Sequence, residues 1–222
     1  MKFIRNTGLN RTFAAVIASA ILLALASPMA FAAPKDKDTA KISRVEFSKT
    51  MRKLWEDHIT WTRLYIVSAA ANLPDKDATT QRLLQNQTDI GNAVAGFYGE
   101  AAGSKLTALL KDHILGAAAL IDAAKSGDKA KIDEASAKWY ANADEIATFL
   151  SGANPQNWPL ANMKAGMKMH LDLTLAEATA RLQGKYSDDI ADYDKIHTHI
   201  LGLADLLSSG IEKQFPQKFS KS

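Results

Sequence analysis

The chemistry available to this chain rests on five histidines and no cysteine. Without Cys, thiolate metal sites and covalent c-type haem attachment through Cys-x-x-Cys-His are excluded. Imidazole remains, a ligand suited to zinc, copper, nickel and iron. His58 lies in line with Met51, Trp55, Thr62 and Tyr65. His113 lies with Leu106, Leu109, Ala117 and Leu120, and His170 with Met163, Met167 and Thr174. Spacings of three, four and seven put all these side chains on one face of a helix, so each His points inward. Asn86, with Leu83, Ile90, Ala93 and Phe97, and Asn142, with Trp139, Ile146 and Phe149, interrupt apolar stripes in the same way. Polar residues on apolar stripes are the informative ones.

Their order along the chain is regular. Positions 58, 86, 113, 142 and 170 are separated by 28, 27, 29 and 28 residues. His197 continues the series by 27, and His199 would continue it by 29. In an up-down bundle of equal hairpins, one polar residue per helix at constant spacing returns to the same height, which predicts a polar layer across mid-bundle. For the last helix, packing direction favours His197, which shares a face with Tyr193, Ile200 and Ala204 and has Asp194 three residues before it. The match of His199-Ile200-Leu201 to His113-Ile114-Leu115 favours His199 instead.

The expected metal ligands are therefore His58, His113, His170 and His197, with Asn86, Asn142, Tyr65 and Asp194 lining a ligand. A copper, zinc or iron ion is the first choice. Met51, Met163 and Met167 add soft donors that suit copper, and a b-type haem held by Met or His is the weaker fit. The competing reading is structural. Buried imidazoles and amides can hydrogen-bond one another and only fix helix register, while the methionines fill the core.

Other chemistry is poorly served. A carboxylate-bridged di-iron centre needs Glu-x-x-His pairs on two helices, and only Asp194 with His197 has that spacing. There is no Gly-rich phosphate loop, Gly-x-Ser-x-Gly or His-Glu-x-x-His. Glu56-Asp57 and Asp188-Asp189 read as solvated faces. Trp55, Trp61, Trp139 and Trp158 read as core and rim. A binding or structural role is expected before an enzymatic one.

The elements that must position these residues are helices. Pro74, Gly99 with Gly103, Gly127, the stretch from Gly152 to Pro159, and Gly184 divide the chain into six apolar-periodic runs, at 43–72, 78–98, 104–126, 129–151, 158–183 and 187–213. Strand alternation is missing. One-sided stripes and short turns predict an all-α, antiparallel up-down bundle of about six helices, with Ser104 and Asp128 as N-caps. A repeat of helical hairpins relates residues 86–125 to 142–181, pairing Asn86 with Asn142 and His113 with His170. After the last helix, Phe215 and Phe219 are placed to fold back on the bundle.

The N-terminus reads as an export signal. Lys2, Arg5 and Arg11 precede an apolar run from Phe13 to Ala26 and a small-residue cleavage pattern ending at Ala32. Residues 1–32 are then signal peptide, 33–42 a charged lead-in, 43–215 the bundle and 216–222 a tail, and the mature protein is periplasmic or secreted. The chain has 27 basic and 24 acidic residues, and the signal holds three of the basic ones and no acid. The mature domain is thus electrically balanced, which argues against nucleic acid as a partner. No stable membrane insertion is expected after cleavage.

The run Arg82-Leu83-Leu84-Gln85-Asn86-Gln87-Thr88-Asp89-Ile90-Gly91, then Phe97-Tyr98-Gly99 and Leu109-Leu110-Lys111-Asp112-His113-Ile114, resembles a family of small exported bacterial all-helical proteins of no settled activity. The resemblance implies architecture only.

Overall fold

Local capping chemistry sets the helix ends in the computed structural model, which describes residues 41–220. The expected signal peptide, and all of the lead-in before residue 41, lie outside these residues. Helix α1 (Arg44–Ala71) starts where the Ser43 hydroxyl accepts the Glu46 amide at 3.4 Å. Asn72, at φ 52°, ends it in the left-handed conformation that a short polar side chain tolerates. Helix α2 (Lys76–Tyr98) and helix α3 (Glu100–Ser126) are separated by Gly99 alone, whose φ of 88° and ψ of 162° suit only glycine. The expected cap at Ser104 is corrected accordingly: α3 begins four residues earlier, and Ser104 lies inside it. Helix α4 (Lys129–Ala153) begins at Asp128, as expected, whose carboxylate accepts the amides of Ala130 and Lys131. Helix α5 (Leu160–Leu182) follows Pro159, and helix α6 (Tyr186–Gln214) completes the set.

These are the six helices of an all-α bundle. Each packs on its neighbours in sequence through short connections, and α6 closes on α1. Helix α1 also touches α3 and α5 across the ring, so α1, α3 and α5 approach one another at the centre. The α2–α3 pair is the tightest. A Cβ placed on Gly103 would lie 2.6 Å from the Gly91 carbonyl oxygen and 2.6 Å from the Ala95 Cβ, so the two backbones touch where both residues lack a side chain.

The main core runs through all six helices and includes Met51, Trp55, Ile90, Leu106, Ile146, Met163, Leu171, Ile200 and Leu207. A second cluster groups Tyr65, Ile66, Ala69, Leu83, Ile114, Ile121 and Ala178. The chain beyond α6 joins the core. After a 3-10 turn (Pro216–Lys218), Phe219 is buried, stacked on Phe97 at 5.6 Å and tilted against Phe47 at 5.3 Å. Ile42 donates its amide to the Lys218 carbonyl and accepts the Ser220 amide, both at 2.9 Å. Among the described residues, no helix is long and apolar enough to cross a membrane.

Candidate functional site

Three of the central histidines meet because they occupy the same height on α1, α3 and α5. The ring centres of His58 and His170 are 5.6 Å apart, and those of His113 and His170 are 6.1 Å apart. His199 of α6 joins from the other side, 6.2 Å from His170 with its ring nearly parallel. His170 is therefore a hub with three imidazole neighbours. Trp rings close the layer on two sides, Trp139 stacked on His113 at 5.3 Å and Trp55 edge-on to His58 at 5.7 Å.

The hairpins α1–α2, α3–α4 and α5–α6 are latched in one way. A polar side chain on the second helix donates to a backbone carbonyl four residues before the histidine of the first. Asn86 donates to the Leu54 carbonyl at 3.0 Å, Asn142 to the Leu109 carbonyl at 3.2 Å, and His199 to the Gly166 carbonyl at 3.1 Å. The first two hairpins add a bond to the histidine itself. Gln87 donates to His58 Nδ1 at 3.3 Å, and His113 Nδ1–H donates to the Asn142 carbonyl oxygen at 2.9 Å. Three hairpins repeat one interaction, where the sequence comparison related only residues 86–125 to 142–181.

These bonds fix protonation and tautomer. Burial pushes the His58 imidazole down to about 3, helped by His113. Burial also pushes His113 down to about 4 and His170 well below the ordinary range, with His58, His113 and His199 as its electrostatic neighbours. His199 is lowered for the same reason. At neutral pH all four rings are uncharged. His113 carries its proton on Nδ1 and His199 on Nε2, which leaves the lone pairs of His113 Nε2 and His199 Nδ1 uncommitted. Metal-binding histidines are held in the same manner, the second ring nitrogen donating to an oxygen acceptor. His58 instead accepts at Nδ1, so its proton sits on Nε2.

Unsatisfied atoms gather at this layer. His170 Nδ1, Gln87 Oε1, Trp55 Nε1 and Trp139 Nε1 are buried without a hydrogen-bond partner. An unmade buried bond costs about 1–3 kcal/mol, so a cluster of them requires explanation.

A comparison with known proteins finds no matching family model, no matching curated protein and no matching solved structure. The likeness to exported helical proteins therefore stops at the all-helical architecture, and the chemistry must be argued from the side chains.

The expected set is only partly assembled. His58, His113, His170, Asn86 and Asn142 come together in the layer. The inward placement of His197 is corrected: it lies at the surface, where its Nε2 bonds Glu56 Oε1 at 3.0 Å. His199 takes the inner position, because a hairpin step of 29 residues brings it level with His170. Asp194 is exposed. Tyr65 is buried in the second cluster, two helical turns or about 10 Å along α1 from His58. Among the described residues, no three His, Cys, Asp or Glu side chains are grouped so as to hold a metal ion.

Two features escape a reading of the sequence stripes. Gln87 stands 29 residues after His58, the same step that separates His113 from Asn142, so a fixed hairpin step would have found it. The other is an ion network. Arg63 donates to Glu177 at 2.7 Å and to both oxygens of Asp189 at 2.8 and 3.2 Å, and Arg181 reaches Asp189 at 3.3 Å. Asp189 is fully buried, so the solvated reading of Asp188-Asp189 is corrected for its second member. Burial raises Glu177 to about 7 despite its bond to Arg63.

Proposed function

We propose that this is an exported helical-bundle binding protein that holds a transition-metal ion in the mid-bundle imidazole layer, with His170 at its centre. The observation that carries the reading is the environment of His170. Three imidazoles surround it within 5.6–6.2 Å between ring centres, and its Nδ1 is buried with no partner. Neutral rings of this kind offer lone pairs at neutral pH, and His113 and His199 are already oriented by oxygen acceptors. Export rests on the basic, apolar and small-residue order of residues 1–32.

A second reading has its own support. The latches from Asn86, Asn142 and His199 fix the register of three hairpins whether or not anything binds. On that reading the protein is a non-catalytic envelope component and the layer is purely structural.

The two separate in one experiment. Protein recovered without a His-tag is analysed for bound elements, and metal-free protein is melted with and without copper, zinc and iron. Ligation at the layer gives a bound ion and a melting temperature that rises with its concentration. An empty protein that none of the three ions stabilises overturns the metal reading and leaves the structural one.

A further inference from the structure

We propose that the ion suited to this layer is monovalent copper, Cu(I), held by His170 with His113 or His199. The proposal rests on the metal-binding reading above and narrows it to one ion.

The first support is charge. The groups that bear electrostatically on His170 are His58, His113 and His199, and none is an acid. The remaining polar partners of the layer are the amides of Asn86, Asn142 and Gln87 and the carbonyls of Leu54, Leu109 and Gly166. A dication placed here would have no counter-charge. The penalty for burying charge grows with its square, so Zn(II) or Fe(II) is opposed about four times as strongly as a monocation of similar size.

The second support is ligand number. Zinc sites use four ligands, or three with an open position. No group of three potential ligands stands ready among the described residues. Cu(I) is content with two or three. With metal–nitrogen bonds of about 2 Å, two imidazoles at opposite sides of an ion lie about 6 Å apart between ring centres, and a tetrahedral angle closes them to about 5 Å. The ring centres of His113–His170 and His170–His199 are 6.1 and 6.2 Å apart with the rings stacked, so the spacing admits an ion once a ring turns its nitrogen edge toward it.

The third support is softness. Met167 lies three residues, less than one helical turn, before His170 on α5 and is buried in the main core. Thioether sulfur favours Cu(I) over zinc and iron, so a surround of neutral nitrogen and sulfur discriminates in the same direction as the missing counter-charge.

Metal-free, untagged protein is titrated anaerobically with Cu(I) against a chromophoric Cu(I) chelator, and separately with Zn(II) and Fe(II) against their own indicators. One Cu(I) per chain is expected, bound at least about 100-fold more tightly than either dication. His170→Ala should lower the Cu(I) affinity more than about 100-fold, beyond the 10–100-fold typical of losing an outer partner. X-ray absorption of the unaltered copper-loaded protein should show two or three nitrogen or sulfur neighbours, which decides the point even where the variant fails to fold. Zinc or iron bound as tightly as copper overturns the choice of ion and leaves the metal reading standing. No binding by any of the three overturns both. Undiminished Cu(I) binding by folded His170→Ala, or four or more light-atom neighbours, overturns the site.

Discussion

His199 Nε2 donates to the Gly166 carbonyl oxygen at 3.1 Å, and this bond decides which histidine of α6 faces His170. It ties the inner face of α6 to the turn of α5 just before His170 and leaves His197 outside, against Glu56. Helical angle alone ranked the two the other way, because His197 shares a stripe with Ile200 and Ala204. The angle of one helix does not contain the register of its partner, and in this hairpin register is what matters.

The two histidines should therefore respond differently to removal. His197→Ala loses only a surface pair with Glu56 and is expected to change stability by less than about 0.5 kcal/mol. His199→Ala removes a latch and leaves a gap beside His170, with an expected loss of about 1–3 kcal/mol. Urea unfolding of both variants checks this. Equal effects would contradict the assignment.

Asn142 serves two bonds, one from His113 and one to the Leu109 carbonyl. Asn142→Leu keeps the volume close and removes both, leaving His113 Nδ1–H buried without an acceptor. A loss of about 1–3 kcal/mol is expected, measured as a lower denaturation midpoint with an unchanged slope. A neutral result would mean that the latch adds nothing to stability.

Acid should destabilise the domain. His58 and His113 are held down to about 3 and about 4 in the fold, against about 6.5 in the unfolded chain. The unfolded state thus takes up protons first, so their contribution is complete above about pH 6.5 and is lost as pH falls toward 4 and then 3. Glu177 works in the opposite sense. Its raised value of about 7 gives the folded state the proton first and adds stability as pH falls from 7 toward 4.5. The buried histidines outnumber it, so the urea midpoint should drop between pH 7 and pH 5, and more steeply in Glu177→Gln. A flat or rising midpoint would contradict the buried, neutral imidazoles.

Arg63 ties α1 to α5 and α6 through Glu177 and Asp189. Arg63→Met leaves two buried carboxyl groups facing each other with only Arg181 for compensation, and an expected cost of about 3–5 kcal/mol. Adding Glu177→Gln should recover part of that loss, because one uncompensated acid is gone. Thermal unfolding of the single and double variants tests the coupling, and strict additivity would argue against a shared network.

Much of this arrangement was legible in the chain. Gly99, Gly127 and Gly184 mark turns whose positive φ few other residues accept, and the stripes around His58, His113 and His170 show which way those rings point. Less visible was whatever depends on two helices at once. Ser104 has the chemistry of an N-cap, yet α3 begins at Glu100, because a single glycine suffices to turn the chain when Gly91 and Gly103 let the backbones close. Asp189 reads as surface until Arg63, 126 residues away in sequence, is brought against it. Gln87 and His199 stand 29 residues after His58 and His170, the step that separates His113 from Asn142, and no stripe on a single helix shows that step. Tyr65 and Asp194 shared the right stripe or spacing with a layer residue, but not its height or direction.

The most direct test of the central claim is long-range proton–nitrogen NMR of the histidine side chains, recorded with and without one equivalent of Cu(I), which is diamagnetic. A ring nitrogen of His170 and of at least one of His113 and His199 should shift on addition, while His197 stays where it was. Unmoved resonances throughout the layer, or a shift confined to His197, would contradict it.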